Sequence, residues 1–269
     1  MSNFLEIKDL SFTYPNGWKA LNNISIQIDR GERVAIIGQN GAGKTTLAKL
    51  MNGLNKPTSG DVTIDGWNTK EYTTAQISRK VGYVFQNPDD QIFHNTVFDE
   101  VAFGPKNLGQ TEEEIHHNVH EATKLVEIHD FLKENPYDLP LSIRKFVTVA
   151  SVIAMNPDVI ILDEPTAGQD MKGLTCLAST IAELTKRTKT VITITHDMEF
   201  AASNFDRTIV MAHSNKIADG GTKEIFWSNE VLTEAGVKPP HISRLSKSLG
   251  IEDKGILEIK DLINYIKMR

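Results

Sequence analysis

Within a chain of 269 residues, the stretch Gly38-Gln39-Asn40-Gly41-Ala42-Gly43-Lys44-Thr45 sets glycines, a lysine and a hydroxyl at the spacing G-x-x-x-x-G-K-[ST]. Glycines at those places let the backbone bend so that successive N–H groups face an anion, and the helix beginning near Lys44 adds its positive end. Lys44 would reach the terminal phosphates of a nucleotide, and the Thr45 hydroxyl can ligate Mg²⁺. Gly38, Asn40, Gly41, Ala42, Gly43, Lys44, Thr45 and the following Thr46 are therefore the nucleotide-binding candidates. An ordinary glycine turn is the alternative, but the four fixed positions would coincide by chance in only about 1% of chains this long at average residue frequencies. A second element, Val159-Ile160-Ile161-Leu162-Asp163-Glu164, delivers two carboxylates to the end of an apolar run, where α/β sheets place ligands. Asp163 suits a Mg²⁺ ligand, directly or through water, and Glu164 suits a group that polarises the water attacking a γ-phosphate. His196 closes a third apolar run, Val191 to Thr195, in a similar place.

These residues must be positioned by the elements around them. Arg33 to Ile37 is a nearly continuous apolar run ahead of the glycine loop, and Leu47 to Met51 behind it favours helix, which predicts a strand, loop and helix unit. Val81 to Phe85, Val159 to Leu162, Val191 to Thr195 and Thr208 to Met211 read as further buried strands. Glu112 to Val126, Ile143 to Met155 and Leu174 to Lys186 carry helical periodicity. Alternating strands and helices imply a mostly parallel sheet. Leu5 to Tyr14 and Asn22 to Ile28 instead alternate apolar and polar residues about the Asn16-Gly17 turn, the pattern of an antiparallel hairpin. Asn87 to Pro140 is polar and helical without a strong strand and reads as an inserted helical subdomain. Beyond Gly220-Gly221 the pattern weakens. Lys238-Pro239-Pro240 then separates a small appendage with two short amphipathic helices, His241 to Leu249 and Leu257 to Lys267.

Composition narrows the function classes. With 40% hydrophobic and 24% charged residues the chain is an ordinary globular protein, and its length suits one large α/β domain with at most a small appendage. The 35 acidic residues exceed the 29 basic ones, a net charge of -6, so whole-surface attraction to nucleic acid or an anionic membrane is not expected. One cysteine, Cys176, allows no internal disulfide, and the N-terminal MSNFLEIKDL carries charges where a secretory signal needs an apolar core. The chain is expected to be cytoplasmic. No aliphatic run approaches the roughly 20 residues that span a bilayer.

Taken together, these motifs resemble the ATPase subunits of ABC transporters from Leu5 to about Phe226. Leu162-Asp163-Glu164-Pro165-Thr166 looks like that family's magnesium and catalytic-glutamate strand, Gly168-Gln169-Asp170 like its D-loop, and Thr195-His196-Asp197 like its switch histidine. P-loop kinases and small GTPases do not share this set. The resemblance implies a P-loop NTPase fold of the ABC ATPase kind with an antiparallel β subdomain, a helical subdomain at about 87–157, and a C-terminal helical appendage at 229–269 following an ATPase domain of 1–228. It implies ATP and Mg²⁺ as cofactors, with Glu164, His196 and Gln86 in catalysis and Thr45, Gln86 and Asp163 at the metal. Tyr14, in Phe12-Thr13-Tyr14-Pro15, matches the aromatic that stacks on adenine, with hairpin packing as its alternative role.

Gln86-Asn87-Pro88-Asp89-Asp90-Gln91-Ile92-Phe93 and Thr96-Val97-Phe98-Asp99-Glu100-Val101-Ala102-Phe103-Gly104-Pro105 are similar more narrowly to the ATPases of energy-coupling factor (ECF) transporters, importers of vitamins and of cobalt and nickel. That resemblance implies a peripheral protein at the cytoplasmic face of the membrane. It would work with a second ATPase subunit, a transmembrane coupling protein and a membrane-embedded substrate-binding protein, and with no nucleic acid. Phe85, Phe93, Phe98 and Phe103, around Gln86, would then form the groove for a coupling helix, and the appendage a subunit contact. One motif departs. The signature Leu-Ser-Gly-Gly-Gln falls on Leu139-Pro140-Leu141-Ser142-Ile143, which keeps only its leucine. Leu141 adds bulk at a close backbone approach, and Pro140 removes an N–H. This favours a heterodimer in which a partner with an intact signature completes one competent site on this chain's Lys44, Asp163, Glu164 and His196. Substitution of the lost serine by Ser142, two places along, is the alternative.

Of the remaining features, His116 and His117 read as a solvated helix face and Cys176 as an inert helix residue. A soluble ABC protein of translation or DNA repair would need paired cassettes or a coiled-coil insertion. A regulatory, barely hydrolysing ABC subunit would suit the damaged signature but not the intact Glu164 and His196.

Overall fold

The computed structural model describes residues 4–251 and 255–268. The chain opens with β1 (Leu5–Thr13) and β2 (Lys19–Ile28), antiparallel as the alternation predicts, with the turn carried by Gly17 at φ 84°. β3 (Arg33–Ile37) leads through the glycine loop into α1 (Lys44–Met51). β4 (Ser59–Ile64) and β5 (Trp67–Asn68) are not anticipated from sequence; β4 pairs antiparallel with β1 and β5 antiparallel with β4, which completes a four-stranded sheet in the order β2-β1-β4-β5.

After α2 (Thr74–Ile77) and β6 (Val81–Val84) come three helices, α3 (Val97–Asn107), α4 (Glu112–Leu125) and α5 (Leu141–Ala154), which pack on one another. The chain then returns through β7 (Val159–Asp163), α6 (Met171–Lys186), β8 (Thr190–Ile194), α7 (Met198–Asn204), β9 (Arg207–Ala212) and β10 (Asn215–Gly221). The second sheet runs β10-β9-β3-β8-β7-β6, parallel except for its antiparallel edge strand β10. Helices α8 (Thr222–Trp227), α9 (Asn229–Glu234), α10 (His241–Ser248) and α11 (Ile259–Lys267) close the chain.

Side chains alternate across the parallel sheet, so its continuous apolar runs bury both faces. Val34, Ile36, Val159 and Ile161 pack with α1 and the antiparallel sheet. Ala35, Ile37, Ile160 and Leu162 pack instead with α3 to α6. The site residues therefore leave the same end of the sheet, at the C-terminal ends of β3, β6, β7 and β8. The C-terminal helices reach that end too. The Gln39 N–H donates to Ala235 O at 3.0 Å, and the His241 N–H donates to Glu199 Oε1 at 2.8 Å. Among the described residues no helix is long and apolar enough to cross a membrane.

Candidate nucleotide site

The loop after β3 needs its glycines for two different reasons. Gly38 (φ 146°) and Gly43 (φ 100°) lie in backbone regions that side chains avoid, and a Cβ there would sit 2.0 Å from Met211 O and 2.6 Å from Ala20 O. The loop is thus clamped against β9 and β2. Gly43 caps α1 without a side chain, so the first-turn N–H groups stay free to face the open cavity. That cavity measures about 450 Å³ and is bordered by Asn40 to Thr46, Gln86, Glu164 and His196.

Lys44 is buried and donates to Gly38 O at 2.7 Å and Gln39 O at 3.0 Å, which folds its ammonium back over the loop. Burial lowers its pKa, opposed by the charges of Glu164 and Asp163. Its Nζ lies 3.4 Å from His196 Nε2, a contact that needs that nitrogen unprotonated. Burial first, and Lys44 second, hold the histidine below its ordinary pKa, which favours the neutral ring.

β7 ends in Asp163 and Glu164, both buried. Asp163 Oδ2 accepts a 2.7 Å bond from Tyr83 of the neighbouring strand β6, while its Oδ1 is buried without a partner. Glu164 stands in the left-handed region at φ 50°. Its Oε2 accepts the His196 N–H at 3.2 Å, and its Oε1, 3.2 Å from His196 Nε2, accepts no aligned hydrogen bond. Burial pushes the Glu164 pKa up to about 7, a value suited to exchanging a proton near neutrality. An orphaned carboxylate oxygen is expensive in a dry interior. The orphaned Asp163 Oδ1, on a carboxylate whose charge is felt at Lys44, therefore fits a metal ion at a bound triphosphate, and the residues present suit both cofactors.

The loop, Lys44, Glu164, His196 and Gln86 meet at this cavity, whereas Tyr14 and Asp163 do not border it. The Tyr14 ring stacks under Trp18 (centroids 5.4 Å apart, planes 7° apart) and its hydroxyl bonds Thr46 Oγ1 at 3.0 Å. Trp18, half exposed, is the aromatic at the cavity wall, a residue that sequence reasoning passed over as part of a turn. Tyr83 and Lys145 were also missed. Lys145, buried on α5, donates to Glu164 O at 2.9 Å.

Three of the four phenylalanines proposed for a groove converge. Phe93 and Phe103 meet edge to face at 4.8 Å, both exposed, and with Phe85 and Leu54 border a second cavity of about 250 Å³. Phe98 does not join them. It packs on the α4 residue His116, with ring centroids 5.0 Å apart. At the departed signature, Pro140 caps α5 without a side-chain bond, and Leu141 is exposed with its Cδ2 3.6 Å from where a Cβ on Gly168 would stand. Cys176 is buried, and burial pushes its thiol pKa up, which suits an unreactive role.

The profile of the ABC transporter family matches residues 21–167, more than half of the chain. The chain belongs to the ABC transporter family. An ABC transporter ATP-binding protein of Methanosarcina acetivorans is 42% identical over 98% of this chain, which spans only 43% of that relative's own length. The energy-coupling factor transporter ATP-binding protein EcfA of Methanocaldococcus jannaschii is 38% identical, with 98% of each chain covered. Among solved structures, cbiO1 of Clostridium perfringens, part of the ABC transporter complex cbiONQ, superimposes with a TM-score of 0.78 at 34% identity, covering 92% of this chain and 100% of that one. The resemblance to ECF-type ATPases is thus borne out over nearly the full length of the chain.

Proposed function

We propose that this ABC ATPase hydrolyses ATP to drive an ECF-type importer of a vitamin or a transition-metal ion from the cytoplasmic face of the membrane. The observation that carries the reading is the contact chain Lys44–His196–Glu164, with steps of 3.4 and 3.2 Å, at the mouth of a phosphate-binding loop. The phosphates of ATP would lie on the loop and first-turn amides of α1, with Lys44 turned from its two carbonyls toward the β- and γ-phosphates. Thr45, Asp163 and Gln86 would hold Mg²⁺, which supplies charge neutralisation on the phosphate oxygens. Glu164, with its pKa near neutrality, takes the proton of the attacking water. The new bond joins water oxygen to the γ-phosphorus as the bridge to the β-phosphate breaks, which leaves ADP and phosphate. Trp18 and Tyr14 together would support the adenine, and neutral His196 would orient the water and the γ-phosphate.

The exposed Phe93–Phe103 edge, on the same cavity as Phe85, suits an apolar helix of a transmembrane coupling protein, with substrate choice left to a separate membrane-embedded binding protein. Because Pro140-Leu141-Ser142-Ile143 lacks the glycines and the serine of a signature, this chain is assigned one competent site in a heterodimer with a second ATPase subunit whose signature is intact. Reconstitution of the complex tests both points. Glu164→Gln in this chain is expected to abolish most hydrolysis, and the matching change in the partner to cost much less. Equal losses, or a larger loss from the partner's variant, overturn the assignment. Co-purification with ribosomes or DNA in place of membrane subunits would overturn the importer reading.

A further inference from the structure

Glu164 holds a left-handed backbone conformation, φ 50°, that is costly for a residue with a side chain. Such a conformation persists only where its surroundings over-determine it. Besides the local turn bond from the Ala167 N–H to its carbonyl at 3.4 Å, three hydrogen bonds tie it to other parts of the chain. The Glu164 N–H donates to Ile194 O at 2.9 Å, its carboxylate accepts from the His196 N–H, and its carbonyl oxygen accepts from Lys145 Nζ at 2.9 Å. The first two come from β8 and the loop after it. The third comes from a different layer, the helix α5, one turn beyond the residues that stand where the signature should be.

Lys145 is 7% exposed, and burying an ammonium is costly unless something nearby needs the charge. Unlike Glu164, it does not line the nucleotide cavity, and with Asp163, Pro165 and Gln169 it borders a separate small one. Burial lowers its pKa while the Glu164 and Asp163 carboxylates raise it, so its charge is felt at the acidic pair. A second tie joins the same two parts of the molecule, since Gln169 Nε2 donates to Ser142 O at 3.1 Å.

We infer that Lys145 is a positioning residue for hydrolysis: its bond to the Glu164 carbonyl holds the left-handed turn that presents the Glu164 carboxylate to the nucleotide cavity. The inference rests on Glu164 being the group that activates water. It also ties the outer end of α5, Leu141 to Ile143, to this chain's own hydrolytic carboxylate, so that pressure on that surface reaches Glu164 through one turn of helix.

The test is a double-mutant cycle on single-turnover ATP hydrolysis in the assembled complex, with ATP affinity measured alongside. Lys145→Met keeps the apolar stem and removes the ammonium; because it takes away one partner only, some loss of thermal stability is expected alongside the kinetic effect. The expected result is a loss of about tenfold or more in kcat with ATP affinity unchanged. In the Glu164→Gln background the same change should cost less than about twofold, because the carboxylate it positions is already gone. Lys145→Gln, whose amide donates from a shorter stem, should fall between wild type and Met, and it carries the cycle if the Met variant does not fold. Full kcat in Lys145→Met, or an equal loss in both backgrounds, overturns the role of Lys145. Unchanged hydrolysis in Glu164→Gln alone overturns the reading of Glu164 and the inference with it, an outcome separable from the first two.

Discussion

Tyr83 and Asp163 sit on neighbouring parallel strands, and the phenol donates to Asp163 Oδ2 at 2.7 Å while Oδ1 of the same carboxylate stays buried and unpartnered. One oxygen is thereby fixed, and the other is the one that would face Mg²⁺ in the proposed site. Burial first, then the Asp163 charge, hold the Tyr83 pKa far above its ordinary range, so the phenol remains a donor at any working pH. Loss of such an outer partner typically weakens metal binding about 10- to 100-fold. Tyr83→Phe is expected to raise the Mg²⁺ concentration needed for half-maximal hydrolysis by about tenfold while binding of metal-free ATP stays unchanged. A titration of both quantities checks it, and an unaltered Mg²⁺ requirement counts against the bond.

Trp18 covers one face of Tyr14 and presents the other side of its indole to the cavity. Stacking of this kind is worth about 0.5–1.5 kcal/mol, or about two- to tenfold in affinity. Trp18→Ala should weaken ATP binding by that factor with kcat retained, and Tyr14→Phe, which loses only the bond to Thr46, should lose less. Equilibrium binding of ATP to the two variants checks it, and full affinity in Trp18→Ala would remove the base contact from Trp18.

Burial pushes the Glu164 pKa from 4.5 to about 7. Between those values the folded protein keeps a proton that the unfolded chain releases, so the folded state loses stability as pH rises through that window. Without nucleotide, Glu164→Gln should match wild type in stability near pH 4 and gain on it up to pH 8, by on the order of 3 kcal/mol at most. Denaturant unfolding at the two pH values measures the difference. A variant that loses stability at pH 8 relative to wild type would show that the carboxylate is not held against its preference.

Much of the site was legible because its chemistry is contiguous. Gly38 to Thr45 carries its loop and lysine in eight consecutive residues, and Val159 to Glu164 carries strand and carboxylates in six, so local pattern sufficed to place them on strand ends. The hairpin, the buried strands and α4 to α6 followed from periodicity for the same reason. β4, β5 and β10 did not. Ser59–Ile64 is short and polar at its start, and becomes a strand by pairing Leu5 with Ile64 and Ile7 with Val62 across some 55 residues of chain.

The residues found only in three dimensions are those whose role depends on distant partners. Tyr83 reads in sequence as one more member of an apolar strand, and its meaning comes from a carboxylate 80 positions on. Lys145 reads as a helix cation destined for water, yet packing of α5 over β7 strips its solvent and leaves the Glu164 carbonyl as its acceptor. Trp18 sits in a turn without pattern until the hairpin folds over the phosphate loop. By itself the sequence determined the family, the phosphate loop and the acidic strand end, because those depend on residue type and short spacing. Which polar side chains lose water, and which backbone they then hold, was decided only by tertiary packing, since desolvation is a property of the surroundings and not of the residue.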